Sequence, residues 1–161
     1  MRKPKIYLET TLFNFYVDQE RDAHADTVRL FEDIAAGKYE AYTSFYVIDE
    51  LKKAPPEKRD TMIALIKRYG ISTLELNKEA EQLAEVYVEQ GIIPMKYRTD
   101  GIHIAVAAVN ELDFIVSMNF QHIVKRKTKL GTSGINVLHN YRAVEIYTPM
   151  EMKEDEDPQH D

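Results

Sequence analysis

The chain has no cysteine among its 161 residues. That excludes disulfides, thiolate metal sites and cysteine nucleophiles, and it suits a reducing compartment. No apolar run approaches the roughly 20 residues needed to span a bilayer. The basic start Met1-Arg2-Lys3-Pro4-Lys5 meets Glu9 too soon for a signal peptide. Cytosolic (cytoplasmic) residence, with no membrane partner, is the expectation. Several functional signatures are missing as well. No Gly-x-Gly-x-x-Gly follows a strand, and there is no Gly-Lys-Ser/Thr phosphate loop, no His-Glu-x-x-His and no Gly-x-Ser-x-Gly elbow. Gly131-Thr132-Ser133-Gly134 reads as a loop, not as a phosphate cradle leading into a helix.

A strong charge of one sign is missing from the body of the chain. The formal charge is −6, but residues 151–161 carry six acids and one lysine, which leaves 21 acids and 20 bases in residues 1–150. A neutral body does not announce a nucleic-acid binder. One local run stands out, Lys125-Arg126-Lys127-Thr128-Lys129. It reads equally well as a solvated loop and as a phosphate-backbone contact. Residues 1–150 are expected to form one domain, and residues 151–161 an acidic, disordered tail.

What the chain does contain is an alternation of strand and helix patterns. Strands are expected at 5–8, 39–43, 71–76 and 114–117, with an edge strand at 143–147. Helices are expected at 25–36, from Ser44 to Lys53, from Pro56 to the stop at Gly70, at 78–90 behind an Asn77 cap, and from Thr99 or Asp100 to Glu111. The fold class is therefore α/β, a central parallel sheet of four to five strands flanked by helices.

Four side chains fall where such a sheet would gather them. Glu9 follows the first strand, Glu50 closes the Ser44 helix, Asp100 opens a helix and Asn119 follows the fourth strand. The rim of a parallel sheet is where open α/β folds bind ligands. Carboxylates crowded there need a cation, and hard oxygen donors favour Mg²⁺ or Mn²⁺. Taken singly, Asp100 reads as a helix cap, Glu50 as a solvated helix residue and Asn119 as a turn residue. His103, one turn past Asp100, reads as a packed histidine beside the site in preference to a ligand. Tyr7, Tyr16, Tyr42, Tyr46 and Tyr97 read mostly as core or rim packing.

These landmarks resemble the PIN-domain family of metal-dependent ribonucleases, including the VapC-type toxins of bacterial toxin–antitoxin pairs. The resemblance rests on Glu9-Thr10-Thr11 after the first strand, on Glu50-Leu51 and on Asp100-Gly101-Ile102-His103-Ile104-Ala105. Ser117-Met118-Asn119-Phe120-Gln121-His122 and the closing stretch from Tyr141 to Pro149 complete it. It implies a PIN-like fold and a metal-dependent endoribonuclease that hydrolyses RNA phosphodiester bonds. Glu9, Glu50, Asp100 and Asn119 would serve as catalytic and metal-holding residues for Mg²⁺ or Mn²⁺. Thr11 would support Glu9. RNA, an antitoxin protein and a second copy of the chain are the candidate partners. Two residues depart from the family pattern: Glu9 stands for the usual aspartate, and Asn119 for a carboxylate of many members. A pocket of charge −3 supports one metal better than two. The departures also keep a second reading open, a PIN-fold binding module with a weakened nuclease site. Gly101 stands where the family has alanine and costs ~1 kcal/mol of helix propensity.

Overall fold

The structure is a computed structural model, and it describes residues 2–155. Five strands make one all-parallel sheet: β1 (Lys5–Leu8), β2 (Glu40–Ser44), β3 (Ser72–Leu74), β4 (Phe114–Val116) and β5 (Glu145–Tyr147), in the order β3-β2-β1-β4-β5. In register, Ile6 faces Ala41 on one side and Phe114 on the other. The expected α/β architecture with a parallel sheet is therefore the observed one, and the segment near 143–147 is indeed an edge strand.

The helices are α1 (Thr10–Val17), α2 (His24–Ala35), α3 (Phe45–Leu51), α4 (Pro56–Arg68), α5 (Lys78–Glu89), α6 (Arg98–Val109), α7 (Arg126–Leu138) and α8 (Pro149–Asp155). By contact they fall into two groups. α1 packs on α2 and α4 and α2 on α8, while α5 packs on α6 and α7. Right-handed crossovers place such groups on opposite faces of a sheet whose strand order reverses. Local chemistry sets many boundaries. The Ser44 hydroxyl accepts the Val47 N–H at 3.4 Å to cap α3, and the Asn77 side chain accepts the Ala80 N–H at 3.1 Å to cap α5. α6 is buried without a break from Gly101 to Ala108, His103 included, as a central helix of a two-sided sheet must be. No helix among the described residues is long and apolar enough to cross a membrane.

Three elements differ from expectation. α1 follows β1 directly, with Leu12 and Phe13 wholly buried. Residues 126–138 form a helix, not a glycine loop. Gly131 is there because α7 crosses very close to Ile92: a Cβ at this position would lie 2.7 Å from Ile92 Cδ1 and Cγ1. Of the segment expected to be tail from Glu151, the part through Asp155 continues the helix that starts at Pro149, and Met152 is buried against the core. The rest of the acidic tail lies outside the described residues. Gly101 has a packing reason too. Its missing Cβ would stand 3.1 Å from Ile93 Cδ1 and 3.4 Å from Tyr87 Cδ2, where α6 meets α5.

The two glycines of α7 make a matched test. Nothing lies within 4 Å of a Cβ on Gly134. Gly134→Ala should therefore stabilise the protein by up to about 1 kcal/mol through helix propensity. Gly131→Ala should destabilise it by about 1–3 kcal/mol, since overpacking outweighs the same gain. Adding Ile92→Ala should recover most of that loss in urea unfolding. Equal effects of the two alanines would mean that α7 does not cross Ile92 as closely as described.

Candidate functional site

The strand order reverses between β1 and β4, and the crevice outside their carboxyl ends is where this topology receives ligands. Glu9 leaves β1 at that point, and Ser117 and Asn119 leave β4. Glu9 is buried, at 3% exposure, and is the N-cap of α1. Its Oε1 accepts the Thr11 N–H at 3.2 Å, the Thr11 hydroxyl at 2.5 Å and the Ser117 hydroxyl at 2.6 Å. The expected support from Thr11 is present, and Thr11 Oγ1 in turn accepts the Met118 N–H at 2.8 Å. Asn119 donates its own N–H to Ser117 Oγ at 2.9 Å, and its Oδ1 closes a turn with the His122 N–H at 3.0 Å.

Glu50 comes to the same rim from the last turn of α3. Its Oε1 accepts the Thr10 hydroxyl at 2.5 Å and lies 2.6 Å from His103 Nε2. It is thus tied to α1 and α6, not simply solvated. Asp100 lies in the first turn of α6 but makes no capping bond. The Asn119 amide beside it favours its charged form instead. His103 is wholly buried, and its Nδ1 lies 2.7 Å from the Tyr7 hydroxyl. His122 stacks on Tyr97, with ring centroids 3.9 Å apart, and neither of its ring nitrogens has a hydrogen-bond partner among the described residues. Hydrogen bonds thus link Glu9 to the Asn119 turn through Ser117 and Glu50 to α1 and α6 through Thr10 and His103, and Asp100 lies in the first turn of α6. Thr10 and Ser117 were missed. Each is a polar residue at the edge of an apolar stretch and within two positions of a landmark, which is the signal that would have found them.

The electrostatics divide the acids. Burial pushes the Glu9 carboxyl above its ordinary range and the Glu50 charge adds to that, against the pull of His103, Ser117 and Thr11. Burial also raises Asp100, with Glu50 again adding, against His103 and Asn119. Burial would raise Glu50 as well, but the His103 hydrogen bond and charge overcome it and leave this carboxyl lowered. His103 is the reciprocal case. Burial works to lower it, while the Glu50 hydrogen bond and the charges of Glu50, Glu9 and Asp100 raise it.

The donor set is carboxylate and amide oxygen, which suits a hard cation. Among the described residues, no three His, Asp or Glu side chains stand close enough in this arrangement to share one ion. Mg²⁺ is commonly held by one or two carboxylates with water completing the octahedron, so this set still fits it. The hydrogen bonds to Glu9 fall on Oε1 alone, which leaves Oε2 to a cation or water.

One pH experiment reports on Glu9. Because its folded pKa is raised, folding favours the neutral carboxyl. That contribution is full below the ordinary carboxyl range and is lost as pH rises through the raised value. Glu9→Gln keeps the Oε1 acceptor and removes the ionisation. In chelated buffer the variant should melt above the wild type near about pH 8, and the gap should close toward about pH 4. A gap that does not change with pH would mean that Glu9 is not held in a desolvated position.

Just past the rim, α7 begins with Lys125, Arg126 and Lys127 exposed and Lys129 half-buried. None of the four pairs with a described carboxylate. The Thr128 hydroxyl ties this turn to the His122 carbonyl at 2.9 Å, and Phe120 beside Asn119 is 53% exposed.

No protein-family model matches the sequence, and neither does any curated protein. Solved structures do match. One is Mycobacterium tuberculosis VapC20, a toxin that cleaves the sarcin–ricin loop. It is 15% identical with a TM-score of 0.55, over 68% of this chain and 86% of that one. Another is VapBC2 from Rickettsia felis, bound to a DNA fragment from its promoter. It is 12% identical with a TM-score of 0.56, over 89% of this chain and 98% of that one. At such identities the likeness is one of fold, and the chain has the PIN-type α/β fold of the VapC toxins.

Proposed function

We propose that the chain is a divalent-metal-dependent endoribonuclease that acts as the toxin of a toxin–antitoxin pair. What supports this reading is the placement of Glu9 at the end of β1, Glu50 in the last turn of α3, Asp100 in the first turn of α6 and Asn119 just past β4, with Glu9 tied to Ser117 and Glu50 to Thr10 and His103. These residues would hold Mg²⁺ or Mn²⁺. When bound, such an ion lowers the pKa of a water and neutralises charge on the phosphate. Thr10, Thr11 and Ser117 orient the acids. Lys125, Arg126, Lys127 and Lys129 stand free to take the phosphates of an RNA on one side of the crevice, beside the exposed ring of Phe120. The Rickettsia felis neighbour is a toxin–antitoxin assembly, which supports an antitoxin as partner here. RNA as substrate, a homodimer and a cytosolic location belong to the same proposal.

Purified protein should cleave RNA in Mg²⁺ or Mn²⁺ and not in chelator. Metal at about 100 times its Kd should stabilise the fold by about 2.7 kcal/mol. A second reading has two observations in its favour: the Glu9 carboxylate is already met by three hydrogen bonds, and no three acids share an ion point among the described residues. On that reading the chain is a binding module built on a nuclease fold. A melting temperature unmoved by either metal, together with intact RNA, would favour the module.

A further inference from the structure

Tyr7 lies in the central strand and is wholly buried. A phenylalanine would fill the same space, so packing does not account for the hydroxyl. That hydroxyl lies 2.6 Å from Ser44 Oγ and 2.7 Å from His103 Nδ1. The other nitrogen of the same imidazole lies 2.6 Å from Glu50 Oε1. A chain of hydrogen bonds thus runs from the end of β2, through β1 and α6, to the carboxylate on α3. Both imidazole nitrogens are engaged. The Glu50 carboxylate, held in its charged form, can only accept, so Nε2 donates to it, while the Tyr7 hydroxyl holds the other side of the ring. The two inner members of this chain are sealed from solvent, whereas the side chain at its end is 29% exposed at the rim. The buried part of the chain therefore leads to one accessible carboxylate.

We propose that Tyr7, acting through His103, is a positioning residue that fixes where the Glu50 carboxylate sits and so how firmly the rim holds a divalent cation. The cation part rests on the reading of this rim as a metal site, whereas the placement of Glu50 does not. Hydrogen-bond partners behind a metal ligand are commonly worth about 10–100-fold in metal affinity.

Three variants of the full chain separate positioning from mere packing. Tyr7→Phe removes only the hydroxyl. His103→Gln places an amide nitrogen near the position of Nε2 and can still donate to Glu50. His103→Asn places its amide near the position of Nδ1 and reaches Tyr7 alone. Metal-free protein is titrated with Mn²⁺ by calorimetry, and the Glu50 side-chain carboxyl is followed by ¹³C NMR. Tyr7→Phe and His103→Asn should weaken Mn²⁺ by about 10–100-fold and move the Glu50 resonance. His103→Gln, which can donate to Glu50 but cannot reach Tyr7, should fall with Tyr7→Phe and lose no more than His103→Asn. Unchanged affinity and an unmoved Glu50 resonance in Tyr7→Phe and His103→Asn, whatever happens to their melting temperatures, would overturn the proposal. If the wild type itself binds no Mn²⁺, the metal reading of the rim fails on its own account. The Glu50 resonance then decides: a shift in Tyr7→Phe upholds the positioning role, and no shift ends it.

Discussion

Asp100→Asn should lower metal-dependent RNA cleavage by at least about 10²-fold, the loss expected when a reacting centre is misplaced or loses a fixed charge. The substitution keeps the shape of the side chain and removes its charge. The fold should tolerate it well. Asp100 makes no capping bond to α6, and its carboxyl is already pushed toward the neutral form by burial. The experiment is a single-turnover cleavage assay in Mn²⁺ beside a thermal melt of both proteins. A variant that cleaves as fast as the wild type would remove Asp100 from the site. A variant that melts far lower would show that the charge is needed for folding, which contradicts the direction of its pKa shift.

The largest effect on stability should come from Phe31→Ala, at about 3–5 kcal/mol. Phe31 is wholly buried and sits among three rings, with centroids 5.8 Å from Phe13, 4.9 Å from Tyr16 and 5.2 Å from Tyr69. All three contacts are edge-to-face, the arrangement that aromatic quadrupoles favour. The cluster joins α2 to α1 and to the end of α4, so a cavity there loosens three helices together. Tyr16 and Tyr69 would lose a shared wall, although their hydroxyls remain 2.5 Å apart. Urea unfolding measures the cost. A loss no larger than that of an exposed substitution would mean that the rings close over the gap.

The regular part of this fold was open to sequence reading, because each segment announced itself by period and punctuation. Ser44 and Asn77 cap as they should, and Gly37 and Gly70, both at positive φ, end their helices. α7 was hidden because Gly131 and Gly134 break helices by propensity, and the neighbour that requires Gly131 lies 39 positions earlier in the chain. α1 was hidden by its polar opening at Thr10 and Thr11. Those threonines serve the acids, not only the helix. The places of the landmark acids at a strand end and at helix ends were legible, whereas their individual settings were not. Asp100 looked like a cap, but it makes no capping bond and stands beside the Asn119 amide. Glu50 looked solvated and is held by Thr10 and His103. The longer side chain at position 9 also gains a sense that sequence could not supply, since Glu9 Oε1 meets donors from both α1 and the end of β4.

The bonds at the rim join residues far apart in the chain: Glu9 with Ser117, Thr10 with Glu50, and Tyr7 with His103. During synthesis the first strand and its acid leave the ribosome early and must wait for β4 before Ser117 can close on them. A nascent chain halted before β4, or a fragment cut within α6, carries the acids but not their arrangement. The rim is therefore among the last parts of the fold to close, and its arrangement belongs to the finished chain alone.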